Sequence, residues 1–357
     1  MKIEINKESQ PTIYPHKGDQ SSSNQIPTVI TDDLFVPAPI DPSIHEEITK
    51  PPVTFWKEAW MRLLRNKGSV ISLVVLLIIA FLAIFGPSFN EYTYKQQNIA
   101  HRNLPPKISG LEWLGLNGKD VHGVDQYEKR DITTNYWFGT DEFGRDIWTR
   151  VWKGTQISLF IALVAALLDL CIGVLYGGIS AFYGGKVDNV MQRIIEVLVG
   201  IPNLIIIILF ILILEPGITS IILAMVITGW VGMARVVRGQ ILQLKSQEFV
   251  LASRTLGASN RRLIGKHLLP NVMGPIIVTL MFTIPTAIFF EAFLSFIGLG
   301  LQAPLASLGV LIDDGYKAMR FFTYKLIFPS IVISAVMICF NLLGDGLRDA
   351  LDPKMRK

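Results

Sequence analysis

Charge is scarce in this chain: Asp, Glu, Lys and Arg together make up 17% of 357 residues, while apolar and aromatic types make up 50%. A water-soluble chain carries about a quarter charged residues, so a single solvated globule is excluded and lipid must be the solvent for much of the molecule. Cysteine is nearly missing. Cys171 and Cys339 each sit in an apolar run, with no CxxC pair and no nearby histidine, which removes a disulfide framework and a zinc centre and leaves small packing residues. No glycine-rich phosphate loop ending in Lys and Ser or Thr occurs, and no catalytic constellation, so catalytic, metal and cofactor residues are all expected to be absent from this chain. The net charge of +4 does not point to nucleic acid, because the basic residues gather beside apolar runs, where membrane topology and anionic lipid headgroups account for them. A cleavable secretion signal is also lacking. Polar sequence precedes the first apolar run, which is therefore expected to remain as an anchor.

What is present is a series of apolar stretches. A span needs about 20 apolar residues to cross roughly 30 Å of hydrocarbon. Six stretches meet or approach that length, at 69–86, 157–183, 194–214, 218–236, 273–297 and 326–346, and the expected fold is an all-α membrane protein with six transmembrane helices. Residues 1–52 are rich in serine, proline and scattered acids, without a periodic apolar face, and read as a disordered tail. Residues 53–68 alternate Trp56, Trp60, Leu63 and Leu64 with Lys57, Arg62, Arg65 and Lys67, the pattern of an amphipathic helix lying on the membrane surface. Six crossings put both termini on one side. Lys57, Lys67, Lys186, Arg193, the basic run within 235–266 and the basic tail 347–357 all fall on that side, which marks it as cytoplasmic. The long loop 87–156 then faces outward, where Trp113, Trp137, Trp148 and Trp152 suggest an ordered lobe pressed against the interface. Residues 157–346 form the five-helix remainder of the core.

The cytoplasmic stretch 246–271 reads as two short helices meeting at a turn. Gly257 can take the left-handed geometry that closes a helix, Ser259 is a natural N-cap, and Pro270 marks the end of the second helix. A hairpin of this kind can seat its tip in a soluble partner and act as a lever, or it can be a plain basic loop. The spacing alone leaves both open.

Leu251, Ala252 and Ser253, then Leu256, Gly257, Ala258, Ser259 and Arg262, and finally His267 and Pro270 resemble the cytoplasmic EAA signature of ATP-binding-cassette importer permeases. Leu251 stands where the signature has its acid, and Ser253 replaces the second alanine. Ahead of the second span, Phe138, Gly139, Thr140, Asp141, Gly144, Arg145, Asp146 and Arg150 are similar to the FGTD-x-x-GRD-x-x-SR motif of oligopeptide and dipeptide permease subunits of the C type. Asp141, Arg145, Asp146 and Arg150 alternate in sign, so a local ion-pair network is the plainer reading and contact with a substrate-delivery protein the sharper one. Tyr183 to Asp188, Glu291 to Gly300 and Gly344 to Pro353 match the same family, and the likeness runs from about residue 57 to the carboxyl end, with 92–135 outside its better-matched part.

The resemblance implies the ABC type I importer permease fold in a bacterial cytoplasmic membrane, with this chain forming half of a pathway for oligopeptides or dipeptides. It implies four kinds of neighbour: a second homologous permease subunit, two cytoplasmic ATPase subunits that bind ATP and Mg, an extracytoplasmic peptide-binding protein, and membrane lipid. The residues 251–270 named above would then couple to the ATPases. Two membrane-embedded acids, Asp169 and Glu291, must face protein or water, either along the substrate route or in interhelical bonds. Pro202 and Pro285 each remove a backbone bond and are expected to hinge their spans, while Gly173, Gly177 and Gly178 are expected to admit a close neighbouring helix. An ion-coupled secondary transporter using either acid is the alternative from another class, and a nickel or other solute permease the alternative within the family.

Overall fold

The computed structural model describes residues 54–352. The expected tail 1–52 and the residues 353–357 lie outside the described residues. Among the described residues every regular element is helical, and β pairing is limited to isolated bridges in the stretch between the first two long helices.

Helix α1 (Phe55–Arg65) and helix α2 (Lys67–Phe85) are separated by Asn66, whose side chain caps α2 by accepting from the amides of Gly68 and Ser69 at 3.1 and 3.3 Å. A single turn, α3 (Gln126–Lys129), lies in the following lobe. Helix α4 (Ile147–Tyr183) has 37 residues, about 55 Å at helical rise, so it outreaches the hydrocarbon core. It starts ten residues before the expected boundary at 157, because Asp146 caps it.

The expected span 194–214 is not one rod. Helix α5 (Gly185–Gly200) and helix α6 (Asn203–Leu214) meet at an angle of 82°. Pro202 has no amide proton to give, and the residue before a proline is pushed out of the helical region; Ile201 accordingly sits extended at φ −101°, ψ 129°. Among the described residues five helices are long and apolar enough to cross a membrane, or six if this bent pair is one span.

Helix α7 (Ile218–Lys245) leads through Ser246 and Gln247 into α8 (Glu248–Thr255). Helix α9 (Asn260–Arg262), a π turn Leu263–Leu268 and helix α10 (Leu269–Phe296) then follow without a break. Helix α11 (Leu308–Ala318) and helix α12 (Tyr324–Leu351) complete the chain. Pro270 therefore does not end a second short helix. The π turn widens the ring ahead of it, with the Leu269 amide bonding the carbonyl of Ile264 five residues back, so that a proline is accommodated at the start of α10. Pro285 likewise lies inside α10, which continues through it.

The most extensive helix pairing joins α4 and α7. Gly173 and Gly177 make it possible: a Cβ on Gly173 would fall 2.8 Å from the Trp230 carbonyl oxygen, and one on Gly177 would strike the carbonyl of Ala234. Gly178 has ordinary space around it. Helix α12 continues to Leu351, beyond the expected end at 346, because Ala350 and Leu343 pack on Leu63 of α1.

Candidate functional site

The first candidate is the hairpin between α7 and α10. Its turn is fully bonded: Gly257, at φ +81°, donates its amide to the Arg254 carbonyl at 3.0 Å, and Ala258 donates to the Ser253 carbonyl at 3.1 Å. This pair of reverse bonds satisfies the last carbonyls of α8 and requires a residue without a side-chain penalty in the left-handed region. Ser259 then caps the next helix, accepting from the Arg262 amide. The base is clamped by an apolar cluster of Val250, Leu263 and Leu268 with Val237, Ile241 and Ala181. Lys245 adds two charge-assisted bonds, to the carbonyls of Phe182 and Ala181 at 2.8 and 3.2 Å.

The tip is the opposite of the base. Leu256 is 87% exposed, and Leu251, Ala252, Gly257, Ser259, Arg262 and Pro270 are exposed with it, while Ser253, Ala258 and His267 are half-buried. A bare leucine on a rigid, bonded turn is an apolar knob without a pocket of its own.

The second candidate is the motif before α4, and its charges turn inward. Asp141 accepts from the amides of Phe143 and Arg145, both at 2.9 Å, and from Arg145 Nε at 2.6 Å. Arg150, only 1% exposed, stands 3.6 Å from Asp141 and 3.6 Å from Asp314 of α11. Burial pushes the Asp314 carboxyl above its ordinary value, while Arg150 and Arg145 pull it back. Asp146 holds the amide and hydroxyl of Thr149 at 2.8 and 2.6 Å and the Asn90 amide at 2.8 Å. Gly139 and Gly144, both at positive φ, let the motif pass against the backbones of Leu104 and Asn98.

This motif anchors a folded lobe spanning 89–146. Leu104, Tyr127 and Tyr136 form its core, and the Tyr127 hydroxyl donates to the Pro105 carbonyl at 2.8 Å. Of the four tryptophans expected to order this stretch, Trp113 of the lobe is exposed, while Trp137 meets Trp148 of α4 edge to face, Trp148 meets Trp152 the same way, and Trp148 bonds the carbonyl of Gly86 at 2.9 Å.

The two membrane carboxylates lie in different surroundings. Glu291 is 0% exposed and accepts from Ser158 at 2.7 Å and from Ser295 at 2.9 Å; Ser158 in turn accepts from the Leu308 amide at 3.1 Å. It pins α4, α10 and the start of α11 together. Asp169 instead lines a cavity of about 310 Å³ between α4, α6, α7 and α10, together with Asn203, Thr228, Gly229 and Thr283, and Glu291 is not part of that wall.

Sequence reading missed two partners. Arg238 of α7 clamps Asp188 of α5 through both carboxylate oxygens, at 2.7 and 2.6 Å, and Ser180 of α4 donates to the same Asp188, which ties three helices near the hairpin's base. Asp314, the second acid beside Arg150, was missed as well. Neither pair has a local signature, since the partners lie far apart in the chain. Among the described residues no cluster of His, Cys, Asp and Glu converges on a metal position.

Among the described residues, a bundle of five or six helices long and apolar enough to cross a membrane, carrying a clamped hairpin with an exposed tip, defines a multi-pass membrane protein. Residues 170–357 match the family described as binding-protein-dependent transport system inner membrane component, and residues 54–106 match the N-terminal transmembrane domain of oligopeptide transport permease C. The oligopeptide transport system permease protein OppC of Bacillus subtilis is 45% identical over 328 residues, 92% of this chain and 99% of the relative. The dipeptide transport system permease protein DppC of the same organism is 44% identical over 94% of this chain and 95% of its own. A solved MetNI methionine ABC transporter chain overlays 57% of this chain and 96% of its own at TM-score 0.49 and 17% identity. The chain belongs to the inner-membrane component family of binding-protein-dependent transport systems.

Proposed function

We propose that this chain is the C-type permease subunit of an ATP-driven importer of oligopeptides or dipeptides. It forms half of the pathway beside a homologous second permease subunit, receives peptide from an extracytoplasmic binding protein, and is powered by two cytoplasmic ATPase subunits that hold ATP and Mg. In this reading α5 and α6 form one bent crossing, giving six. The hairpin and both termini lie in the cytoplasm, and the lobe 89–146 faces outward. The peptide cargo rests on the relatives named for oligopeptide and dipeptide transport.

The observation that carries the proposal is one of continuity. The hairpin joins α7 through Ser246 and Gln247 and runs unbroken into α10, and the same two helices wall the cavity that holds Asp169. A push on the tip therefore reaches the cavity through helices about 40 Å long, without an intervening loop at the α10 arm. Closure of the ATPases would tilt α7 and α10 and move the cavity wall between inward-facing and outward-facing states. Glu291, bonded to serines behind that wall, holds α10 to α4 during the movement. The knob on Leu256, Gly257 and Ala258 would seat in the ATPase surface, while the buried network around Arg150 keeps the outward lobe rigid for docking of the binding protein.

The test is uptake of labelled tripeptide by proteoliposomes containing the full complex. Import is expected to collapse when the ATPase active site is disabled and to survive an uncoupler that leaves ATP intact. The reverse pattern would establish an ion-coupled secondary transporter instead.

A further inference from the structure

The Asp169 cavity holds a carboxyl group with no visible partner. Asp169 is 5% exposed, its Oδ1 has no hydrogen-bond donor, and no ion pair involves it among the described residues. No Lys, Arg or His stands among the residues lining the cavity. Gly229 of α7 explains how the carboxylate reaches its place: a Cβ there would lie 2.7 Å from Asp169 Oδ1, so only glycine leaves room.

The facing wall offers acceptors as well. Thr279, Thr283 and Thr286 line the cavity from α10, and each gives its hydroxyl hydrogen to a carbonyl four residues back, of Pro275, Thr279 and Phe282, at 2.8, 3.0 and 2.9 Å. A threonine that donates to its own helix keeps only oxygen lone pairs for a visitor. Across from them the side-chain oxygen Oδ1 of Asn203 already accepts from the Thr228 hydroxyl. A buried, unpaired carboxyl group is costly in a membrane, and one kept beside a cavity marks a place where a passing cation can meet it. Phe282 and Phe290 add aromatic walls to the same space, and such rings also attract cations.

We propose that Asp169, with the hydroxyl oxygens of Thr279, Thr283 and Thr286, forms a transient subsite for a primary ammonium group of the cargo in transit. This rests on the permease reading above and adds to it the chemical group that the membrane half of the machine recognises. The ammonium can be the peptide's own amino terminus or a lysine side chain.

The test uses the full complex in proteoliposomes, with Cys171 and Cys339 first replaced by Ser. If that parent shows no ATP-dependent uptake while reaching the membrane, it is the permease reading that fails. Asp169→Cys is expected to import tri-alanine about tenfold more slowly. A methanethiosulfonate reagent bearing a sulfonate should restore most of the rate, and one bearing a quaternary ammonium should lower it further. Restoration for tri-alanine and Ala-Lys-Ala alike assigns the amino terminus, and restoration for Ala-Lys-Ala alone assigns the side chain. Asp169→Asn, close in shape, should show the same loss at a normal membrane level. Full import by either variant, equal effects of the two reagents, or a thiol that neither reagent reaches because a neighbouring subunit covers it would overturn the proposal.

Discussion

In the segment 138–150 Asp141, Arg145, Asp146 and Arg150 fold inward, and Arg150 ends almost wholly buried between two carboxylates; in the segment 246–271 Leu256 and Gly257 at the turn face outward, and Leu256 ends almost wholly bare. Both segments are equally conspicuous as sequence, with glycine turns flanked by polar side chains. They differ in what holds them. The first is held by its own ion pairs, so its charges are spent on the fold of the lobe. The second is held by apolar side chains at its base, so the tip is left with nothing to do inside this chain. Segments of the first kind should fail by unfolding, and segments of the second kind should fail by losing a partner.

The largest effect should follow from Arg150→Ala. Removing Arg150 empties a nearly fully buried site and takes the ion-pair partner from Asp314, while Asp141 keeps Arg145; the lost packing alone costs about 2 kcal/mol or more. We expect a markedly lower melting temperature and low membrane levels. A variant that melts like the parent would mean that the network does not hold the lobe, and the contrast between the two segments would be lost.

A smaller effect should appear within the lobe on acidification. His101, within 2.7 Å of the Tyr136 hydroxyl, is held below the usual histidine value of 6.5 by burial and by the nearby Arg130 charge. A histidine whose folded value is lowered stabilises the fold fully above its unfolded value and loses that contribution as pH falls below it, because the unfolded chain takes up the proton first. Melting followed from pH 7.5 downward should show the lobe softening below about pH 6.5. His101→Gln should flatten that dependence by a modest amount, and an unchanged profile would remove His101 from the account.

Much of this was legible in the sequence where the controlling forces are local. Apolar length marks the crossing helices, and the spacing of Gly257 and Ser259 marks a turn and a cap that the structure contains. That a helix packs closely on α4 was readable from Gly173 and Gly177, since only small residues admit a neighbouring backbone; that this helix is α7, and that Gly178 stands clear of it, was not. Features set by distant partners were not readable. Asp188 and Arg238 are 50 residues apart, and Ser158 and Glu291 are 133 apart, so nothing in either neighbourhood announces the pairing. Pro202 was readable as a hinge from its missing amide, and the chain bends there by 82°; that the bend splits the span into two helices is what hydropathy, which counts only apolar side chains, does not register. Pro270 misled for the converse reason: a π turn ahead of it lets the helix run on.

The coupling role of the hairpin is tested most directly by Gly257→Val in the reconstituted complex. A Cβ at Gly257 meets no atom within 4 Å, so nothing clashes, but the φ of +81° becomes strained for a branched residue and the turn must re-form. The account predicts a protein that reaches the membrane and melts normally, yet neither retains its ATPase subunits nor imports peptide. Wild-type import by this variant, with the ATPases no longer bound, would contradict it.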